Sequence, residues 1–250
     1  MSTEPFLSGV KIRNYKSIGK CDVSLGHLTV VVGRNGSGKS NFLDALRFIV
    51  DGLETSLEHA IKSRGGIDEV RRRSTGHPHN FGIEVTMNLA DIQVARYGFE
   101  LSSQKKGGFV VKNEKLVISH GSGRKKDCFQ VENGEVKDTT VDNMPKSAED
   151  RLYLVTAFGL PQFEAAYDAL YGMGFYNLSP EQMKEVESPD AGELLRRDGS
   201  NIASVVARIT DDEPKLKDRI KEYLAAIVPD ITDIERVQLG HKETLQFRNM

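Results

Sequence analysis

Gly33-Arg34-Asn35-Gly36-Ser37-Gly38-Lys39-Ser40 matches the pattern G-x-x-x-x-G-K-[ST] of a phosphate-binding loop at every fixed position. Its three glycines let successive backbone N–H groups turn toward a polyphosphate without Cβ atoms in the way. In this pattern the lysine contacts the β- and γ-phosphates, and the hydroxyl of the last residue binds Mg²⁺. The loop therefore predicts nucleotide binding, with a chance match in a glycine-rich turn as the alternative.

The sequence on both sides of the loop supports the motif. Residues 28–32, Leu-Thr-Val-Val-Val, have no polar alternation, which predicts a strand buried on both faces. After the loop, apolar residues cover most of a helical pattern and leave one polar stripe, formed by Asn41, Asp44, Arg47 and Asp51. This pattern predicts a helix that packs between two layers and ends at Asp51-Gly52.

The loop and a segment upstream of it resemble a known class of ATPases. Residues 35–41, taken with residues 7–18 (Leu-Ser-Gly-Val-Lys-Ile-Arg-Asn-Tyr-Lys-Ser-Ile), are similar to ABC-type ATPases of the RecF-like and structural-maintenance-of-chromosomes class. The resemblance is strongest to the single-chain "AAA, ABC-like" ATPases of bacterial genome maintenance and phage defence. In that class a strand ends in a basic-Asn-aromatic-basic-Ser turn, and a second strand leads back to the loop. Residues 198–206 resemble a further recurrent segment.

The resemblance implies an α/β fold, a P-loop NTPase core of the ABC type with an antiparallel β-layer and a helical extension. It implies ATP and Mg²⁺ as cofactors, with Ser40 as the metal ligand. The implied nucleotide-binding residues of the loop are Asn35, Gly36, Ser37, Gly38, Lys39, Ser40 and Asn41. It also places Arg13 and Lys16 near the base and sugar, although both would equally suit solvated charges on an edge strand.

Composition sets limits on the class of protein. A chain of 250 residues with 38% apolar side chains can form one large domain or two modest ones. We expect residues 1–145 to form the loop core and β-layer, and residues 146–250 a helical extension ending in a hairpin. No apolar run is long enough to span a bilayer and no signal peptide is evident, which predicts a cytoplasmic protein without a membrane partner.

Local charge offers one candidate contact for nucleic acid. The net charge of −2 gives no general attraction to nucleic acid, so such a contact needs a local patch. Residues 62–73 contain five basic residues, among them Arg71, Arg72 and Arg73. This segment is a candidate phosphate contact, with a solvated helical face as the alternative.

The pattern changes to a period of two between residues 81 and 138, which predicts the antiparallel β-layer. Asn113-Glu114 and Asn133-Gly134 are predicted to form tight turns in it. A helical region follows to residue 171, and its aromatic residues are predicted to lie in the core. Further along the chain, two helical patterns precede a predicted hairpin around Gly240-His241.

Residues 175–178, Phe-Tyr-Asn-Leu, are predicted to form a short strand before Ser179. In ABC-type ATPases a strand of this kind ends in a loop whose glutamine contacts Mg²⁺ and the attacking water. The equivalent position here is Ser179, with Gln182 three residues later. Because this departs from the family pattern, the sequence assigns neither residue to the metal.

Two elements needed for hydrolysis are absent from the sequence. A P-loop ATPase uses an apolar strand ending in Asp to hold Mg²⁺, usually with a Glu that polarises water. No segment after Ser40 has this pattern, and no Ser-Gly signature turn opens a helix. The resemblance places both elements beyond the last hairpin, so we expect the chain to be the N-terminal portion of a longer ATPase. No catalytic residue is identified, and we expect negligible hydrolysis by the chain alone.

These observations favour an ATP-binding portion of a RecF- or SMC-like ATPase. In that class two protomers enclose ATP head to tail, which implies a homodimer or higher assembly that acts on DNA or with a nuclease partner, in DNA repair or antiviral defence. The alternative is a nucleotide-binding scaffold that does not hydrolyse ATP. A small-molecule P-loop kinase fits less well, because the β-layer is long and no Arg-rich lid is evident.

Overall fold

The computed structural model describes residues 6–74, 79–89, 93–104, 108–121 and 125–249. The chain divides into two compact units, Met1–Met173 and Gly174–Met250. This division falls later than the predicted boundary between residues 145 and 146, because two helices, α4 (Leu154–Ala157) and α5 (Pro161–Tyr171), belong to the first unit. Phe163 of α5 is fully buried and its ring lies 5.3 Å from that of Phe129, as the predicted core position requires.

Within the described residues, the first unit contains an antiparallel sheet of seven strands. Their order across the sheet is β2-β1-β3-β4-β5-β6-β7. Strand β1 therefore lies between β2 and β3, and strands β3 to β7 follow one another in chain order. The strands are β1 Phe6–Tyr15, β2 Ile18–Ser24, β3 Asn80–Leu89, β4 Gln93–Ser103, β5 Phe109–His120, β6 Lys125–Glu132 and β7 Glu135–Thr139. The predicted antiparallel layer and the turn at Asn133-Gly134 are confirmed.

One face of this sheet is buried and the other is open, as the period of two requires. Val85 and Tyr97, which are partners in the register, are fully shielded on the buried face, whereas the side chains of Lys11 in β1 and Arg96 in β4 are exposed on the open face. Besides α4 and α5, the described residues of this unit form three helices: α1 Lys39–Glu54, α2 Leu57–Lys62 and α3 Ile67–Val70. The ring of Phe48 in α1 lies 5.5 Å from that of Phe81 in β3. The core therefore lies between α1 and the sheet.

Helix α1 continues to Glu54, so the prediction that it ends at Asp51-Gly52 is wrong. Gly52 is buried, and a Cβ at this position would lie 3.2 Å from Leu57 and 3.3 Å from Leu152. The glycine therefore permits close packing on the side of the helix. Glycine often ends a helix, but here its lack of a side chain serves packing instead.

The predicted strand before the phosphate-binding loop does not form. Residues 28–32 form no strand, and Leu28, Val30 and Val32 are 86%, 73% and 83% exposed. A β-branched run favours extended backbone, but a strand also needs hydrogen-bonded neighbours and a covering layer. No strand in the described ranges pairs with this segment, so the prediction of a strand buried on both faces is wrong for this structure.

Asn113 and Glu114 lie inside β5, so the predicted turn there is also wrong. Glu114 is fully buried, and its Oε1 accepts hydrogen bonds from Tyr97 Oη at 2.9 Å and from the backbone N–H of Leu154 at 2.9 Å. Its other oxygen accepts from the N–H of Tyr153. Burial raises the pKa of Glu114 to about 7, against the opposing effect of these three hydrogen bonds. The carboxyl thus joins the sheet to the start of α4.

This pKa makes the stability of the first unit depend on pH. The ordinary value is 4.5 and the folded-state value is about 7, so the contribution of Glu114 is complete below pH 4.5 and is lost as pH rises through 7. We expect the free energy of unfolding to fall by about 3 kcal/mol across this interval, since one pKa unit corresponds to about 1.4 kcal/mol. Denaturant titrations of the parent and of Glu114→Gln between pH 5 and 8 test this, and equal slopes against pH would contradict it.

The second unit contains three helices and a hairpin among its described residues. The helices are α6 Pro180–Lys184, α7 Ile202–Asp212 and α8 Pro214–Ile227, and the hairpin strands are β8 Ile231–Leu239 and β9 Lys242–Asn249. The predicted hairpin is confirmed. Residues 175–178 do not form the predicted strand, because the N–H groups of Asn177 and Ser179 bond to Arg197 and Asp198 in a loop rather than to a sheet.

Candidate nucleotide-binding site

The phosphate-binding loop runs directly into a long helix. Gly36 and Gly38 have φ values of 79° and 96°, a region in which residues with a side chain are strained. Helix α1 begins at Lys39 and extends over 16 residues. The N-terminus of such a helix attracts anions, because its first N–H groups lack intrahelical acceptors and its dipole is positive at that end.

The polar groups of the loop are available to a ligand. Among the described residues, no acceptor outside the helix bonds to the backbone N–H groups of Lys39, Ser40 or Asn41. The ammonium group of Lys39 folds back over the loop and donates to the carbonyl oxygens of Gly33 at 2.7 Å and Arg34 at 2.9 Å. Ser40 is exposed. This donor set fits a polyphosphate, and the Ser40 hydroxyl suits a cation that also binds phosphate oxygens.

The turn between β1 and β2 packs against the start of α1. The side-chain amide of Asn41 donates to Ser17 Oγ at 2.7 Å, and a Cβ on Gly38 would lie 3.3 Å from the same oxygen. In this turn Asn14 and Lys16 adopt φ values of 52° and 46°. Asparagine tolerates this left-handed region better than lysine does. The turn is therefore held in one conformation by contacts with the loop helix.

An ion-pair network lies behind the loop, along the polar stripe of α1. Asp44 accepts from Tyr15 Oη at 2.8 Å, pairs with Lys16 Nζ at 2.5 Å, and accepts from Arg64 Nε at 3.0 Å. Arg64 also pairs with Asp51 at 2.8 Å, and its guanidinium carbon lies 5.2 Å from the centre of the Phe48 ring. The side chain of Arg64 is only 6% exposed. One arginine therefore connects two carboxylates of α1 to the segment after α2.

The network sets the protonation of its members. Burial raises the pKa of Asp44, but hydrogen bonds from Lys16 and Tyr15 and the charge of Arg64 outweigh it, so the pKa is below its ordinary value. Burial is the largest cause that raises the pKa of Tyr15, and the charge of Asp44 adds to it. Asp44 is thus ionised and Tyr15 is a neutral donor at neutral pH.

The structure separates the two basic residues that the resemblance placed near the nucleotide. Lys16 lies beside α1 through its pair with Asp44. Arg13 lies on the open face of the sheet, where its guanidinium is 3.7 Å from the carboxylate of Glu100 in β4. We therefore keep Lys16 in the candidate site together with residues 35–41, and we place Arg13 with the open face.

The basic segment of residues 62–73 is compensated by acidic neighbours. Lys62 pairs with Glu58 at 2.6 Å, Arg71 with Asp68 at 2.8 Å, and Arg73 with Glu69. Arg72 covers Gly19 of β2, where an added Cβ would lie 1.8 Å from its guanidinium. These contacts favour a solvated, packed face over a phosphate contact.

Ser179 and Gln182 belong to the second unit. The Ser179 hydroxyl oxygen accepts from the N–H of Gln182 at 3.3 Å and so caps α6. A structural role as helix cap thus accounts for this serine, and a contact of either residue with the metal stays a prediction.

The ion-pair network is the part of the site that the sequence missed. The sequence pattern indicates Asp44 and Asp51 as members of one polar stripe of α1, and Arg64 as part of the basic segment of residues 62–73. One signal in the sequence could have indicated the network. The helix is predicted to lie between layers and carries two carboxylates, and buried charges are normally paired with opposite charges.

The loop, its helix and the antiparallel sheet together define an ATPase-like domain of the ABC-like class. The chain belongs to the family described as "AAA domain, putative AbiEii toxin, Type IV TA system", whose model matches residues 28–164. This match confirms the resemblance drawn from the loop. No helix in the described part of the chain is long and apolar enough to cross a membrane.

Two curated proteins are similar to about half of the chain. Urease accessory protein 2 of Cryptococcus neoformans var. grubii is 27% identical over 147 residues, which are 57% of this chain and 11% of that protein. Structural maintenance of chromosomes protein 3 of Caenorhabditis elegans is 29% identical over 136 residues, 54% of this chain and 9% of that protein. The chain thus spans about a tenth of the length of these relatives.

Solved structures match the chain at lower sequence identity than these two proteins do. The chain matches a structure of the recombination mediator RecF with ATP at a TM-score of 0.37 and 14% identity, covering 90% of this chain and 43% of that one. A second RecF structure matches at a TM-score of 0.41 and 14% identity, with coverage of 95% and 62%. A structure from work on the ATP-driven dimerization and DNA-stimulated activation of SMC ATPases matches at 0.31 and 20% identity, with coverage of 53% and 72%.

Proposed function

We propose that this chain binds ATP with Mg²⁺ through residues 35–41, as the nucleotide-binding part of a RecF- or SMC-like ATPase. The observation that carries this proposal is the start of α1, where unbonded N–H groups, a helix dipole and the ammonium group of Lys39 converge beside two left-handed glycines. The family match, which begins at residue 28 and includes the whole loop, supports it.

In this proposal Lys39 exchanges its bonds to the carbonyl oxygens of Gly33 and Arg34 for bonds to the β- and γ-phosphates. The N–H groups of residues 36–40 surround the phosphates, and Ser40 supplies a metal ligand. Asn41 and Ser17 connect this site to the turn between β1 and β2. Bound Mg²⁺ would offset phosphate charge, and the chain's own residues orient the nucleotide.

We further propose that bound ATP closes a dimer, or a higher assembly, that acts on DNA or with a nuclease partner. Residues 31–37 of the loop region are exposed, so a second protomer can reach a nucleotide held there. ATP at such a site would lie between two protomers, and its hydrolysis or release would reopen the assembly.

A scaffold that binds ATP without hydrolysing it is the second candidate. The observation that favours it is that the acidic residues of α1 are engaged in ion pairs. In the described part of the chain Asp44 and Asp51 are both bonded to cationic side chains, which leaves neither free to orient water.

Sedimentation velocity with Mg²⁺ and either ATP or ADP tests the assembly, and phosphate release in the same samples tests hydrolysis. We expect ATP to shift the chain toward a dimer, with ADP and the variant Lys39→Ala leaving it a monomer. We expect negligible phosphate release. Identical sedimentation in ATP and ADP would contradict ATP-driven closure, and turnover that disappears in Lys39→Ala would contradict the scaffold.

A further inference from the structure

The open face of the sheet carries a hollow that the proposed nucleotide site does not use. The hollow has a volume of 790 Å³ and lies over strands β1 to β6 of the first unit. Its floor includes Gly82 of β3 and Gly98 of β4, two outward positions on the central strands. Residues 28–40, which include the phosphate-binding loop, do not line it.

The two glycines keep the floor open at a cost to the strands. A Cβ on Gly98 would lie 3.0 Å from Glu84 Cβ and 3.1 Å from the carbonyl oxygen of Ile83, and one on Gly82 would lie 3.1 Å from the carbonyl oxygen of Phe99. Glycine in the interior of a strand weakens it, and it often marks a place where a ligand or another chain approaches closely. The central strands thus leave room for such an approach.

The charge around the hollow is basic, in contrast to the chain as a whole, whose net charge is −2. Three acidic residues line it: Asp22, Glu84 and Glu100. Six basic residues line it: Lys11, Arg13, Lys20, Arg96, Lys115 and Lys126. The excess of positive charge favours an anionic partner.

Half of the basic residues are already paired across strands. Lys11 and Arg96 approach Glu84 at 3.2 and 3.8 Å, and Arg13 approaches Glu100. No carboxylate in the described ranges lies within ion-pair distance of Lys20, Lys115 or Lys126. These three ammonium groups carry the charge that a partner would meet.

The register of the sheet places the three lysines in a row that bends at Lys115. Lys20 of β2 is in register with Arg13, and Lys126 of β6 with Ser119 near the other end of the sheet. Lys115 of β5 lies between them, opposite Gly98. With strands about 4.8 Å apart and about 3.3 Å per residue, Lys20 and Lys126 are roughly 30 Å apart. That length corresponds to about nine base pairs of duplex DNA at about 3.4 Å each.

The lining also includes an unsatisfied amide. Asn113 Oδ1 is shielded from solvent and has no hydrogen-bond partner among the described residues. This oxygen can only accept a hydrogen bond, and a phosphodiester has no donor, so Asn113 Oδ1 is not counted among the phosphate contacts. The lining offers no exposed aromatic ring, since its one aromatic residue, Phe99, is 5% exposed.

We propose that the open face docks the sugar-phosphate backbone of duplex nucleic acid, with Lys20, Lys115 and Lys126 as its contacts. This proposal rests on the proposed function in that it supplies the DNA surface of the ATPase. Because the hollow offers lysines and no exposed stacking surface, it contacts phosphates and does not read bases. Binding is therefore independent of sequence and weakens steeply with salt.

The test is fluorescence anisotropy of a labelled 30-base-pair duplex with the full chain, from about 50 to 200 mM NaCl. The test variant is Lys20→Glu/Lys115→Glu/Lys126→Glu. The control is Lys184→Glu/Lys215→Glu/Arg219→Glu, whose positions are exposed in the second unit and whose net charge changes by the same amount. Lys39→Ala is measured beside them, together with ATP binding by each variant.

We expect the sheet variant to lose about tenfold or more in affinity, and its slope of log K against log salt to flatten by about 2.7, at about 0.9 for each lost phosphate contact. The control variant keeps the parent slope. Lys39→Ala loses ATP but keeps nucleotide-free DNA binding, so failure of the nucleotide site is distinguishable from failure of the DNA surface. Equal losses in the sheet and control variants would overturn the proposal. So would a parent chain that binds no duplex at the lowest salt or that binds a poly-glutamate peptide instead.

Discussion

Replacing Lys39 with alanine is expected to weaken ATP binding by about 100-fold or more and to leave the fold intact. A hydrogen bond to a charged group contributes about 1.5–3 kcal/mol, and each 1.4 kcal/mol is about tenfold in affinity. Lys39 is assigned bonds to two phosphates, whereas without nucleotide it bonds only to the carbonyl oxygens of Gly33 and Arg34. Its removal therefore affects the ligand far more than the protein.

Calorimetric titration of Mg-ATP into the parent and the variant measures this effect. Lys62→Ala is a matched control, because Lys62 is exposed and its one carboxylate partner, Glu58, lies one helical turn away. Denaturant titration of each protein checks that the fold persists. Equal affinity of Lys39→Ala and the parent for ATP would show that the loop does not bind the nucleotide.

The second large effect is expected from Arg64→Ala, which should lower the free energy of unfolding by about 3–5 kcal/mol. Removing one partner of a buried ion pair costs about this much, and here two carboxylates lose a buried partner at once, although Asp44 keeps Lys16 and Asp51 keeps Arg47. Arg64 is 6% exposed and bonds to both Asp44 and Asp51. The variant also loses the contact between the guanidinium and the ring of Phe48.

Arg47→Ala is the control for this variant. Arg47 lies on α1, the helix that also carries Asp44 and Asp51. It approaches Asp51 at 3.6 Å, but its side chain is 34% exposed. We expect it to cost less than about 1 kcal/mol, as exposed pairs do. Guanidinium chloride unfolding of both variants at pH 7 measures the difference. A loss for Arg64→Ala no greater than that for Arg47→Ala would show that the network does not stabilise the fold.

The parts of the fold that local patterns specify were predictable. The period of two predicted the layer formed by β3 to β7, and the apolar face predicted α1. Both signals lie within a single element and depend on which side of it faces the core. The phosphate-binding loop was predictable for a similar reason, since its residue types follow from backbone geometry within eight positions.

The parts that depend on distant partners were not predictable. The apolar run of residues 28–32 favours a strand, but in this structure no described strand pairs with it and it stays exposed. The sequence predicts a turn at Glu114, whereas this residue is fully buried by contacts with Tyr97 and with a helix start about forty residues further along the chain. The pairing of Arg64 with Asp44 likewise joins residues 20 apart in sequence. Composition and periodicity carry no information on such contacts.

Displacement of a fluorescent ATP analogue from the parent chain by ATP and by AMP tests the central claim most directly. Residues 33–40 hold the β- and γ-phosphates in this account, and the nucleoside contributes through fewer contacts. We therefore expect ATP with Mg²⁺ to displace the analogue at least about 100-fold more effectively than AMP, which has neither phosphate. Displacement by AMP as effective as that by ATP, or no binding of the analogue, would contradict the assignment of this loop as the nucleotide site.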